Sequence, residues 1–64
     1  MNIREAGREV VGIGTERRDY LVGFNGHDET LLSAAGMDDL ENLWLSLCPE
    51  FECDPDSVDY VERL

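Results

Sequence analysis

The sequence is short of several residue types, and each shortage excludes a class of protein. Of its 64 residues none is lysine, one is histidine and two are cysteine. Two cysteines are too few for the disulfide framework of a small secreted domain. No apolar run approaches the ~18 residues that a membrane span needs, and the opening MNIREAGREV lacks the apolar centre of a signal peptide. These shortages predict a cytoplasmic location and no membrane partner.

The sequence also lacks the spacings that catalytic and metal sites require. His27 lies in a predicted turn with no nucleophile pattern near it, and Cys48 and Cys53 match no zinc-ligand spacing. The run from Asp54 to Asp59 lacks the further Asp and the Gly of an EF-hand calcium loop. We therefore expect no enzyme, no metal site and no cofactor.

What the chain does have is an excess of acidic residues, and it is regional. Fifteen Asp and Glu against five arginines give a net charge of -10. Residues 1–24 carry four arginines and four acids, whereas residues 25–64 carry eleven acids and only Arg63 as a base. A chain of this length forms one domain, 1–64, that buries only about 60% of its unfolded surface. Its small core must offset this self-repulsion, so the charge requires an explanation.

The N-terminal half has the pattern of short strands. Residues 8–14 and 19–24 are rich in β-branched and aromatic residues and are separated by a polar connection, which predicts a hairpin over 8–24. Asn25-Gly26 then predicts a tight turn, because both residues tolerate positive φ. The segment that follows predicts either a third strand over 30–34 or a short helix capped by Asp28.

The segment 37–47, MDDLENLWLSL, predicts an amphipathic helix, since its apolar residues recur at spacings of three and four. Acids in the first turn suit the positive end of the helix dipole, and Pro49 follows the predicted end. Trp44 is expected to anchor the core against the sheet.

Two interpretations fit the C-terminal segment 50–63, EFECDPDSVDYVER. Alternating acids and apolar residues around Asp54-Pro55-Asp56-Ser57 favour an acidic hairpin, whereas Asp54-Pro55 followed by Val58 and Val61 favours a short helix. With the hairpin, the sequence predicts an α+β fold: an antiparallel sheet of four or five short strands, one face covered by a single amphipathic helix and the other free.

Three hypotheses compete for the acids. They could form an ordinary solvated face, or they could reflect adaptation to molar salt, although a halophilic bias should also acidify residues 1–24. The third hypothesis is mimicry of nucleic acid, because acids on one face of a strand recur every ~6.6 Å and could imitate a phosphate backbone. The candidate partner-binding residues are the acids of the C-terminal segment and, more weakly, those of the helix start: Glu50, Glu52, Asp54, Asp56, Asp59, Glu62, Asp38, Asp39 and Glu41.

In its small size, regional acidity and lack of a catalytic constellation, the chain resembles the DNA-mimic proteins of phages and mobile elements. It is similar in particular to small acidic anti-CRISPR proteins that act on type I effector complexes. The resemblance implies an inhibitor in the host bacterial cytoplasm that occupies the DNA-binding or PAM-reading surface of its target. The expected partner is thus a basic DNA-binding protein, such as a type I CRISPR effector subunit, with no direct binding to nucleic acid. Repulsion between like faces favours a monomer.

Overall fold

The computed structural model describes residues 1–12 and 16–64, which form two helices and three strands. In chain order these are α1 Ile3–Ala6, β1 Arg18–Phe24, β2 Asp28–Ala34, α2 Met37–Leu47 and β3 Val58–Arg63. The fold is α+β with an antiparallel sheet, as predicted from the sequence. The prediction of four or five strands is wrong for the part of the chain that is described, because two of the expected strands have another conformation.

The sheet has the order β2-β1-β3, and its central strand β1 is antiparallel to both neighbours. β1 and β2 form a hairpin in which Tyr20 faces Leu32. Its turn contains Asn25 and Gly26, both with positive φ, as the Asn-Gly pair predicts. β2 includes the segment 30–34 expected as a third strand, so the alternative of a helix capped by Asp28 is wrong.

The predicted hairpin over 8–24 has only its second strand. Residues 8–11 continue as turns after α1, and the backbone N–H groups of Val10 and Val11 both donate to the carbonyl oxygen of Gly7. The rest of the expected first strand lies largely outside the described residues. α1 itself begins at an N-cap, since the Asn2 side chain accepts the Glu5 N–H at 2.9 Å.

β3 is a strand, but its partner is β1 and not the segment 50–54. Its register against β1 shifts between Gly23 and Phe24, so that Tyr60 faces Gly23 while Val58 faces Phe24. Asp59 is therefore the extra residue of a β-bulge. The bulge lets Val58 and Val61 both face the core although they are three residues apart. In the sequence alone, this spacing is also typical of one face of a helix.

Both helices pack on one face of the sheet, α2 against β2 and α1 against β3. The prediction of a single covering helix is therefore incomplete. Among the residues that the structure describes, the core between the layers contains twelve buried apolar ones, and Trp44, Tyr20 and Ile3 are the largest of those that are fully buried. On the other sheet face, Leu31 is 58% exposed and Tyr60 37% exposed, and none of the described helices covers them.

Candidate functional site

The acids at the start of α2 have structural partners. Asp39 accepts the backbone N–H of Ala35, the residue before the N-cap Gly36, at 2.8 Å and so joins the first turn of α2 to the chain that enters it. Arg4 of α1 pairs with Asp38 and, at 3.0 Å, with Glu41. These two carboxylates, Asp38 first, raise the pKa of Arg4. These three predicted site residues therefore join the two helices and fix the chain where it enters α2.

The acids that follow α2 lie on turns and not on a strand. The chain continues from Cys48 in turns, and the N–H of Cys53 donates to the carbonyl of Cys48 at 3.3 Å. Glu52 has a φ of 54°, in the left-handed region that commonly closes a helical segment. Glu50 and Glu52 are exposed on these turns, and Glu52 does not face Asp59 across a ladder. The predicted acidic hairpin over 50–63 is thus wrong.

Aromatic packing fixes this segment to the core. Phe51 lies 5.1 Å from Phe24, ring centroid to centroid, and Trp44 lies 5.2 Å from Phe24. The Trp44 Nε1–H donates to the carbonyl oxygen of Pro55 at 3.1 Å, so the one polar group of a fully buried indole is satisfied. These contacts hold the segment 49–57 against the end of the sheet that contains the Asn25-Gly26 turn.

The same end of the sheet receives the start of β3. The Asp59 carboxylate accepts the N–H of Gly26 at 2.6 Å, and the N–H of Asn25 donates to the carbonyl of Ser57 at 3.1 Å. Five exposed carboxylates thus lie on the segment 50–59, which packs against this end of the sheet, and we call them the acidic end. The acidic end consists of Glu50, Glu52, Asp54, Asp56 and Asp59.

No arginine of the described residues lies within salt-bridge distance of these five carboxylates. The nearby N-terminal ammonium donates instead to the backbone oxygens of Asp56 and Val58, at 2.8 and 3.2 Å. The five acids of this segment therefore have little local compensation by basic side chains.

Glu62, the ninth predicted site residue, does not join the acidic end. It faces Leu21 in the register, beyond Tyr60 and further from the turn. Two acids that the sequence analysis did not predict as site residues, Asp28 and Glu29, do lie beside the acidic end. They line a shallow groove of about 200 Å³ together with Asp59 and Tyr60. The sequence did contain a signal for this position. Asp28 and Glu29 follow the Asn25-Gly26 turn directly, so they must lie at the end of the sheet that contains this turn.

Tyr60 connects this groove to the exposed sheet face. Its ring covers Gly23, where a Cβ atom would collide with it, and its hydroxyl donates to Glu29 Oε2 at 2.5 Å. This hydrogen bond is the main reason that the pKa of Tyr60 is raised to about 12, and desolvation adds to it.

The two cysteines contribute to packing. Cys48 is buried, Cys53 is half-buried, and both are free thiols. Burial, with a smaller effect from Cys53, raises the pKa of Cys48 to about 11, which suppresses the reactive thiolate. No cluster of three or more possible metal ligands occurs in residues 1–12 and 16–64. Nor does any helix in these ranges have the length and apolar character needed to cross a membrane.

Comparison of the chain with models of protein families, with curated proteins and with solved structures finds no match. The acidic end and its surroundings are therefore the features of the molecule from which its function is inferred.

Proposed function

We propose that the protein is a non-enzymatic inhibitor that presents the carboxylates of the acidic end in place of DNA phosphates. Its target is a basic DNA-binding protein, such as the PAM-reading surface of a type I CRISPR surveillance complex, which it occludes. The observation that supports this proposal is the acidic end itself: five exposed carboxylates gathered by tertiary contacts, with no arginine of the described residues paired to them.

The physical basis is the repulsion that the free protein must tolerate. Placing a basic groove of the target against the acidic end replaces repulsion by attraction and accelerates association. Because the attraction is screened within about 8 Å at physiological ionic strength, binding should weaken as salt rises. The five acids lie on turns and at a bulge, so the proposal rests on clustered charge and not on the regular spacing of a strand.

The test is competition between the protein and duplex DNA for a purified type I surveillance complex, measured by electrophoretic mobility shift at several salt concentrations. We expect the protein to displace PAM-containing duplex and to lose this ability when Glu50, Glu52 and Asp54 are changed to Lys. The matched control changes Glu5, Glu9 and Asp19 to Lys. It alters the net charge equally but in the region whose charges are balanced, so it should still displace the duplex.

Equal loss of competition in both triple variants would show that net charge alone is responsible. Competition that survives the first triple variant would reject the acidic end as the site. Adaptation to salt predicts a different result. The melting temperature of the protein would rise steeply between dilute buffer and molar KCl, and the protein would not displace duplex DNA from the surveillance complex. Circular dichroism of each variant verifies that the fold is retained.

A further inference from the structure

The two edges of the sheet differ in how they are protected. The edge of β3 carries the bulge at Asp59, and Met1 occupies its start, since the N–H of Val58 donates to the carbonyl of Met1 at 3.1 Å. Bulges and covering segments are common means of preventing edge-to-edge pairing. Within residues 1–12 and 16–64 the edge of β2 has neither a bulge nor a covering strand, because β1 is its only strand partner there, and the segment from Thr30 to Ala34 carries no charge.

Backbone hydrogen bonds fix which groups of β2 face this open edge. The carbonyl of Asp19 accepts the N–H of Leu64, so Asp19 directs its backbone groups toward β3. Backbone direction alternates along a strand, and Asp19 faces Ser33 in the register. Ser33 therefore directs its N–H and C=O away from β1, and so do Leu31 and Glu29. Consistently, the Ser33 carbonyl oxygen accepts a hydrogen bond from the Arg17 guanidinium at 3.2 Å. A carbonyl oxygen has two lone pairs, so it can accept a second donor from another strand.

We propose that β2 pairs through this edge with β2 of a second copy of the chain, antiparallel, with Leu31 facing Leu31 on the two-fold axis. In this register the edge-facing groups of each strand meet those of the other, and Glu29 faces Ser33 of the second copy. The whole strand Asp28–Ala34 overlaps its counterpart. The acids of β2 then face uncharged residues, whereas shifting the register toward the turn would bring Glu29 toward its own counterpart.

Charge complementarity favours a second copy as the occupant of this edge. Arg17 already lies against Ser33, the residue that Glu29 of the other copy would face. Each Arg17 therefore comes beside a Glu29 across the interface, and the two-fold axis repeats this ion pair. The exposed Leu31 side chains meet on the uncovered sheet face, next to the half-buried Leu21, and continue one apolar strip across both copies.

The self-repulsion that predicts a monomer is limited at this edge, because the segment from Thr30 to Ala34 carries no charge. The acidic end lies at the turn end of β2, and the antiparallel arrangement places the two acidic ends on opposite sides of the pair. Each copy still carries a net charge of -10, so association should strengthen as salt screens the long-range repulsion. This salt dependence is opposite in sign to that expected for binding a basic DNA-binding protein, which separates the two proposals.

The test is analytical ultracentrifugation of the full chain over a range of concentrations and salt. We expect a monomer–dimer equilibrium that Leu31→Asp abolishes over the same range, because it places two carboxylates on the axis at a site where the fold does not need the leucine. Leu45→Asp is the matched control on the exposed side of α2 and should leave the dimer intact. Arg17→Glu and Glu29→Arg should each weaken the dimer, and their combination should restore it.

A wild-type protein that sediments as a monomer under all these conditions would overturn the proposal. So would a dimer that tolerates Leu31→Asp, or one that Leu45→Asp disrupts as strongly. Failure of the combined Arg17→Glu and Glu29→Arg variant to recover the dimer would reject the antiparallel register.

Discussion

The acids at the start of α2 and those of the acidic end differ in their partners, although their side chains are chemically alike. Asp39 binds a backbone N–H, and Asp38 and Glu41 share Arg4. In the acidic end only Asp59 has a hydrogen-bond partner for its carboxylate among the described residues, the N–H of Gly26. The acids with partners have a structural role, whereas those without add to the self-repulsion of a chain with a net charge of -10. The second group is therefore the one whose presence calls for a functional explanation.

The largest loss of stability is expected from a substitution at Trp44, where the segment of the acidic end packs against the core. Trp44→Ala removes the indole that contacts Phe24 and Phe51 and that binds the carbonyl of Pro55. Truncating a buried aromatic residue costs about 3–5 kcal/mol. That is comparable with the whole free energy of unfolding of so small a domain, roughly 0.05–0.15 kcal/mol per residue. We expect the variant to be largely unfolded by circular dichroism.

Trp44→Phe is the milder companion change. It keeps an aromatic ring in the core but loses the donor to Pro55, which should cost about 1–2 kcal/mol. Relative to the wild-type protein, amide hydrogen exchange should then accelerate more in the segment 49–57 than in the strands. A Trp44→Ala variant that remains folded, with unchanged exchange in 49–57, would show that the acidic end is held by other contacts.

Removing one carboxylate from each group of acids tests whether the two groups differ in their effect on stability. Asp39→Ala should lower the free energy of unfolding by about 1 kcal/mol, because the half-buried N–H of Ala35 loses its partner and the helix dipole loses a favourable charge. Asp54→Ala should change it by less than about 0.5 kcal/mol and should raise it at low salt, where repulsion is strongest. Urea unfolding of both variants measures the difference. Equal destabilisation would contradict the distinction.

Much of the fold follows from patterns that span many residues. The structure has α2 over the predicted bounds Met37–Leu47, because a helical period sustained over eleven residues has few competing interpretations. The Asn25-Gly26 turn likewise indicated a β2 strand. The helical spacing in fact continues from Trp44 through Leu47 to Phe51, and this was the signal that 50–52 would not form a strand.

Short segments were harder to predict because local patterns could not decide between alternatives. α1 has four residues, and its only sequence signal was Asn2 followed by Glu5, the pattern of a capping box. The bulge at Asp59 changes the strand period from two to three, and only the pairing with β1 reveals it. The acids of the C-terminal segment were predicted as a row along a hairpin, whereas contacts distant in sequence position them on turns and at the bulge, such as that from Asp59 to Gly26.

The smallest predicted effect on stability concerns Glu29, whose hydrogen-bond partner is the neutral hydroxyl of Tyr60. Glu29 accepts the Tyr60 hydroxyl and is the main cause that raises the Tyr60 pKa from 10.0 to about 12. Because the pKa is higher in the folded state, the stability that this bond contributes is complete below pH 10 and is lost as pH rises toward 12. Glu29→Gln should move the pKa of Tyr60 back toward 10, since the amide gives the phenol proton a weaker acceptor.

Ultraviolet absorbance of the tyrosinate measures this change, and subtracting the titration of a Tyr60→Phe variant isolates Tyr60. That variant keeps the ring over Gly23 and loses only the hydroxyl. A Tyr60 pKa that stays near 12 in Glu29→Gln would show that desolvation, and not the carboxylate, raises it. Glu29 would then join the acids without a structural partner, and the groove beside Asp59 would extend the acidic end onto β2.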